Sequence, residues 1–316
     1  MADGTLLDHR EFVEALVGMS AEELDRELKR FGLEDGEAFD RGWSAWAHGG
    51  QRPPGAAGAP GPADWRVWVL MAGRGFGKTL AGANWVADAM RADGGLRVAL
   101  VAATIDEARA VMVEGPSGLL TVAEDMAAEF QAARRSVRFA NGAEARLFSG
   151  CSPDRLRGPE HHLAWCDELA KWPRPRETWD MLQLGLRLGD RPRALVTTTP
   201  GAGPVLRAIM AEPGCAVTGG RTADNPHVAR AFEATVERLY RGTRLGAQEL
   251  DGVLLPDGGA LWTPELLERC RVSDPLSKPE DDHMERSGGG ERVPPSARAQ
   301  PLRRGCAAPP PRSGEE

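Results

Sequence analysis

Apolar and polar positions change period along this chain, and the changes divide it. Positions 8–31 carry apolar residues at helical spacing, with Ser20-Ala21-Glu22-Glu23 as a capping box opening a second short helix. Arg52–Pro62, RPPGAAGAPGP, has no period and is rich in the residues that break helices and strands, so it reads as a loop or linker. From Trp65 short apolar runs of buried-strand character alternate with helical patterns. Trp65–Met71 is the first run, and LAGANWVADAMRA (Leu80–Ala92) is the helix that follows it. Leu96–Ala103, His162–Cys166 and Ala194–Thr199 are further strands. Ser136–Ala140, Asn141-Gly142 and Ala143–Ser149 predict a β-hairpin with a two-residue turn. Helices are expected at about 105–113, 117–129, 177–187, 203–211 and 226–240. This alternation predicts an α/β fold, a mainly parallel sheet flanked by helices.

From about Arg271 the pattern vanishes. The stretch is dense in Pro, Gly, Ser and charge, cannot bury enough apolar surface to offset its ordering entropy, and is expected to be disordered. The expected organisation is therefore a helical lead-in over 1–50, a linker over 51–64, an α/β domain over 65–252, a second linker over 253–270 and a tail over 271–316.

Composition adds little until it is read locally. The 316 residues are 41% hydrophobic and 27% charged, ordinary for a globular protein. The net charge of −7 belongs entirely to residues 1–64, with 13 acidic and 6 basic side chains; the remainder balances at 33 against 33. Within it, Phe130–Arg193 carries 12 Lys/Arg and 8 Asp/Glu. That excess reads as a solvated face, with phosphate binding as the alternative. No apolar run is long enough to span a bilayer, and the acidic N-terminus MADGTLLDHREF lacks the apolar core of a signal peptide. Five cysteines (Cys151, Cys166, Cys215, Cys270, Cys306) without CxxC spacing fit a reducing cytoplasm and neither a zinc site nor a disulfide frame. His161-His162 lacks companion ligands at metal spacing and reads as structural. Most of the nine tryptophans, Trp65, Trp68, Trp85, Trp165, Trp172 and Trp179 among them, read as packing residues.

The chemistry lies at strand ends. Ala72-Gly73-Arg74-Gly75-Phe76-Gly77-Lys78-Thr79 joins the first strand to its helix, a phosphate-binding loop with Ala72 in place of the first glycine of GxxxxGK[ST]. Gly73, Gly75 and Gly77 let backbone N–H groups turn toward phosphate, and the helix N-terminus adds positive potential. Lys78 can reach the β/γ-phosphates of ATP, and the Thr79 hydroxyl can hold Mg²⁺. Asp167-Glu168 follows an apolar strand. Asp167 suits the Mg²⁺ shell and Glu168 suits a general base for the attacking water. Thr197-Thr198-Thr199-Pro200 ends another strand, where a hydroxyl such as that of Thr198 can sense the γ-phosphate; threonine also simply favours strands.

In this order, GRGFGKT, RLRGPE with WCDELAKW, and LVTTTP resemble the ATPase of bacteriophage large terminase subunits and of gene transfer agents. Thr222-Ala223-Asp224-Asn225-Pro226 and Tyr240–Gly252 agree, and the resemblance covers roughly 40–270. It implies a P-loop NTPase of the ASCE type that couples ATP hydrolysis to translocation of double-stranded DNA into a capsid. The implied partners are the DNA backbone, a portal protein, a small terminase subunit and further copies in a ring, in the bacterial cytoplasm and with no membrane. It implies roles for Arg74, as a sensor of phosphate charge, and for Gln51, as an adenine reader. Arg157 matches an arginine offered to a neighbouring subunit as a finger; its alternative is a surface ion pair. The family also carries a nuclease domain. Here Asp274, Asp281 and Asp282 lie in the tail with no strands to converge them, so nuclease activity is expected to be absent. Alternative readings of the whole are a helicase-like ATPase and a non-catalytic nucleotide-binding remnant.

Overall fold

The computed structural model describes residues 43–255, except 57–60 and 202, together with 19, 20, 22, 23 and 26. The first described feature is the expected capping box: Ser20 N donates to Glu23 Oε2 at 2.9 Å and Glu23 N donates to Ser20 Oγ at 3.3 Å. The rest of the predicted lead-in helices, the tail, and Cys270 and Cys306 lie outside the described residues.

Eight strands form one sheet in the order β3-β4-β5-β2-β6-β7-β1-β8. They are β1 (Val67–Ala72), β2 (Arg97–Ala102), β3 (Glu129–Gln131), β4 (Ser136–Arg138), β5 (Glu144–Ser149), β6 (Leu163–Asp167), β7 (Arg193–Thr198) and β8 (Cys215–Gly220). The six strands from β5 to β8 in that order are mutually parallel, and β3 and β4 extend the sheet antiparallel. The hairpin forms, with Val137 opposite Ala145, but its turn is three residues (140–142) and not the expected two, since Phe139 N donates to Ala143 O and Gly142 turns the chain at φ 102°.

Parallel strands are covered on both faces, so they read as near-continuous apolar runs, and β1 is buried at five of six positions. The two-residue period then sorts side chains between two cores. Trp68, Leu70, Leu100, Trp165 and Leu195 pack on the face of helix α1 (Lys78–Ala92). Val69, Val101, Cys166 and Val196 pack on the other face, against α2 (Pro175–Gly185) and α3 (Pro204–Met210). Two further helices, α4 (Arg230–Tyr240) and α5 (Arg244–Glu249), follow β8. Among the described residues no helix is long and apolar enough to cross a membrane.

Three further expectations are corrected. The helix at 117–129 is two short pieces, Leu119–Val122 and a 3-10 turn Glu124–Met126, and its end is β3. Residues 105–113 begin as an α-turn and continue as a π-helix, Ala108–Val113. Strand β8 was not anticipated, because CAVTGG lacks the bulky β-branched run that marks a strand. Its pairing along the whole of β1 supplies what propensity does not.

Strand order sets the site. β7 lies between β1 and β6, and Met71 pairs with Thr198 while Thr197 pairs with Asp167. The ends of the loop strand, the threonine strand and the acidic strand therefore finish at one level, at the carboxyl edge of the sheet. In open α/β sheets that edge is where ligands bind.

Candidate nucleotide site

The loop from Gly73 to Gly77 is shaped by two left-handed glycines, Gly75 at φ 75° and Gly77 at φ 89°, a region that side chains resist. Its carbonyl groups are all taken by donors of the protein itself. Lys78 Nζ donates to Ala72 O at 2.9 Å and Gly73 O at 3.0 Å. Thr222 Oγ1 donates to Arg74 O at 2.6 Å and Asn225 Nδ2 to Gly75 O at 2.6 Å. Gln51 Nε2 reaches Phe76 O at 2.9 Å and Gly77 O at 3.4 Å, with the His48 ring 3.2 Å from Phe76 O. With the carbonyls so engaged, the N–H groups of Gly75, Gly77, Lys78 and Thr79 donate to no acceptor among the described residues. Successive N–H groups of this kind, at a helix N-terminus, form a nest for anions.

Lys78 is buried, and burial lowers its pKa, opposed by the negative charges of Glu168, Asp167 and Glu249. Thr79 follows it in the first turn of α1, half-buried. Arg74 is exposed and held aside: its Nε donates to Glu249 Oε2 at 2.6 Å, and its backbone N to Glu249 O at 2.7 Å. That bond to Glu249 raises the arginine pKa further.

Asp167 is 7% exposed. Burial pushes its pKa up to about 6, against the hydrogen bond that Thr197 Oγ1 donates to Oδ1 at 2.7 Å. The same hydroxyl accepts from Trp165 Nε1 at 2.8 Å. The Trp165 ring lies flush under α1 at Gly82, where any Cβ would collide with it. The tryptophan thus links the helix that follows the loop to the rotamer of the acidic residue. Glu168 has φ 48°, a left-handed conformation unusual outside glycine and a form of strain that clusters at functional sites. It accepts hydrogen bonds from Thr199 N at 3.4 Å and Thr199 Oγ1 at 3.2 Å.

Of the residues expected to act together, the structure gathers Gly73, Gly75, Gly77, Lys78, Thr79, Asp167 and Glu168. Thr198 is fully buried and turned away; its hydroxyl donates to Thr199 O and accepts from Ala170 N. Thr197 and Thr199 make the contacts to the acidic pair. Gln51 is buried beneath the loop with its amide spent on loop carbonyls, and its Oε1 accepts from His48 N at 3.3 Å. Arg157 is exposed beyond the turn Pro153–Leu156, with Nη2 4.0 Å from Met181 Sδ on α2, and does not join the cluster. His48, Thr222, Asn225 and Glu249 were not singled out from the sequence. Thr222 and Asn225 stand in a Thr-Asn stretch that marked the resemblance without a role.

His161 is buried with neither ring nitrogen hydrogen-bonded, and burial takes its pKa down to about 4, so it is a neutral structural residue. Among the described residues no group of His, Cys, Asp and Glu is arranged to hold a metal by itself, and Cys151, Cys166 and Cys215 form no disulfide.

A strand, a nest-forming loop with a buried lysine, and an acidic pair two strands away define a P-loop NTPase fold. The chain belongs to the large terminase subunits: residues 69–269 match the family described as terminase large subunit, T4likevirus-type, N-terminal. A solved structure shares the fold. The large terminase of a thermophilic bacteriophage, in complex with ADP, superposes with a TM-score of 0.52 at 18% identity, over 62% of this chain and 50% of that one. Two others superpose less closely. The ATPase domain of the Thermus phage P74-26 large terminase gives 0.49 at 19% identity, over 70% and 98%. The HK97 bacteriophage large terminase gives 0.42 at 14%, over 60% and 47%. This chain spans about half the length of the ADP-bound terminase it matches. No curated protein matches it.

Proposed function

We propose that this chain hydrolyses ATP as the motor subunit that drives double-stranded DNA into a capsid. The observation that carries the reading is that every loop carbonyl is engaged by a donor of the protein, while the N–H groups of Gly75, Gly77, Lys78 and Thr79 donate to none among the described residues, beside Lys78, Asp167 and Glu168. ATP phosphates would enter that nest, and Lys78 Nζ would exchange Ala72 O and Gly73 O for β/γ-phosphate oxygens.

Asp167 and Thr79 are hard oxygen donors beside the nest, the set that Mg²⁺ takes when phosphates and water complete its shell. An Asp buried with its pKa raised is also what a cation-binding carboxylate looks like without its cation. Bound there, Mg²⁺ would neutralise charge on the phosphates. Glu168, steadied by Thr199, would take a proton from the attacking water. Loss of the γ-phosphate would then reach β7 through the Glu168–Thr199 contact. In this reading Arg74, once released from Glu249, would follow phosphate charge, and the exposed Arg157 would serve a neighbouring subunit's site in a ring. Adenine reading by Gln51 would require its amide to leave Phe76 O; in the geometry here Gln51 braces the loop.

DNA contact would be to the backbone, since a translocating motor must ignore sequence. A portal protein and a small subunit would complete the machine in the cytoplasm of the bacterial cell. The test is ATP turnover with and without duplex DNA. Glu168→Gln should keep ATP binding and lose about 10²–10⁴-fold in kcat. Lys78→Ala should lose both. Undiminished turnover in both variants would exclude this site as the catalytic one.

A further inference from the structure

Arg134, Arg135, Arg146 and Arg155 meet around one open cavity of about 530 Å³. They come from three places: the β3–β4 turn, strand β5 and the 3-10 turn Pro153–Leu156. All four side chains are exposed, and the remaining lining contains no Asp or Glu. Among the described residues none of the four is paired with a carboxylate. Elsewhere on the same surface Arg91, Arg109, Arg187 and Arg221 each are. Four converging guanidinium groups repel one another, an arrangement that an anion relieves.

The surrounding backbone holds them in place. Arg135 sits at φ 52°, a left-handed strain, and its carbonyl accepts from Leu147 N at 2.8 Å, which ties the turn to β5. Arg146 lies over the Phe148 ring at 5.7 Å, which orients its guanidinium from below. The buried hydroxyl of Ser149 donates to Ala103 O, so this corner of the lining is built.

We propose that this pocket seats the phosphodiester backbone of double-stranded DNA, as the track of the motor; the assignment rests on the motor reading above. The one aromatic ring of the lining, Phe148, is buried beneath Arg146 and closed to stacking. It therefore does not suit a single strand stacked on aromatic rings. Planar, unpaired guanidiniums around a wide cavity suit phosphates, and more than one of them.

The experiment is fluorescence anisotropy of a labelled 30-base-pair DNA duplex with the full chain across a salt series. Each phosphate contact adds about 0.9 to the slope of log Kd against log salt. Replacing all four arginines by Ala should lower that slope by about 3–4 and weaken binding at ~50 mM salt at least tenfold. The four Arg→Lys changes should keep most of the slope. Turnover of ATP without DNA should be unchanged in the Ala variant, and its stimulation by DNA lost. Should the fourfold variant fail to fold by near-UV circular dichroism, Arg146→Glu alone should still weaken binding about tenfold. An unchanged slope in folded Ala variants would overturn the seat. So would a tenfold preference for a matched RNA duplex, or a loss confined to DNA-free turnover, which would mark a nucleotide-contacting site instead. Arginine-dependent DNA binding by a chain that never hydrolyses ATP would sink the motor reading and leave the seat standing.

Discussion

Arg74 and Glu249 are joined twice, side chain to side chain at 2.6 Å and backbone N to backbone O at 2.7 Å, across 175 positions of sequence. The loop is thereby fastened to α5, and the arginine best placed to meet a phosphate is held on a carboxylate instead. The ion pair is largely exposed, 63% at Arg74, so it adds no more than about 1 kcal/mol to stability. Glu249→Gln should leave Tm almost unchanged and tighten ATP binding about threefold, because Arg74 no longer has to leave a charged partner. Calorimetric titration with a non-hydrolysed ATP analogue would show it. Equal affinity in the two proteins would mean that Arg74 does not reach the nucleotide.

Asp167 offers a sharper contrast between stability and function. Its folded-state pKa, about 6, stands above its ordinary 3.8, so the folded chain binds this proton more tightly than the unfolded one. Ionisation of Asp167 therefore opposes folding above about pH 6, and that opposition fades as pH falls through 6 toward 4. Asp167→Asn should raise Tm at pH 7.5 without nucleotide by about 2–6 °C, with a smaller gain at pH 5. The same variant should lose Mg²⁺-dependent ATP binding. A lower Tm at pH 7.5 would show that the Thr197 bond outweighs the burial of charge.

Asn225 reaches the loop from beyond β8, and its removal should expose the cost of an unheld carbonyl. Asn225→Ala deletes the donor to Gly75 O and should destabilise the fold by about 1–2 kcal/mol. Because the carbonyl can then rotate inward, KM for ATP should rise about fivefold while kcat falls less. Thermal melts and steady-state kinetics check the two arms. Stability lost with KM unchanged would make Asn225 a structural residue only.

Gly82 lies mid-helix in α1, where helix propensity alone favours alanine by about 1 kcal/mol. A Cβ there would strike the Trp165 ring, which holds Thr197 and through it Asp167. Gly82→Ala should therefore destabilise, by about 1–3 kcal/mol, and lower turnover as well. A stabilised variant would show that the ring can move aside.

The local elements of the site were legible in the chain, and their assembly was not. A strand, a glycine-rich loop ending in Lys78-Thr79 and a helix are neighbours in sequence, and each has its own period and residue types. The acidic pair and the threonine strand announced themselves the same way. Propensity failed where elements are short and depend on partners: β8 is a strand because β1 is beside it, and 117–129 breaks because its end joins β4. The contacts around the loop were illegible for a related reason. Gln51, Thr222, Asn225 and Glu249 meet the loop over separations of 25 to 175 positions, and no local pattern records such a contact.

The sequence by itself determined the α/β class, the phosphate loop and the kinship of the chain, because those rest on short-range periodicity and on residue types that one kind of chemistry requires. Only the tertiary structure decided that β7 would separate the loop strand from the acidic strand, that Gln51 would hold carbonyls, and that four scattered arginines would share a cavity. Those outcomes follow from strand order and long-range packing, which bring together residues that the chain keeps far apart.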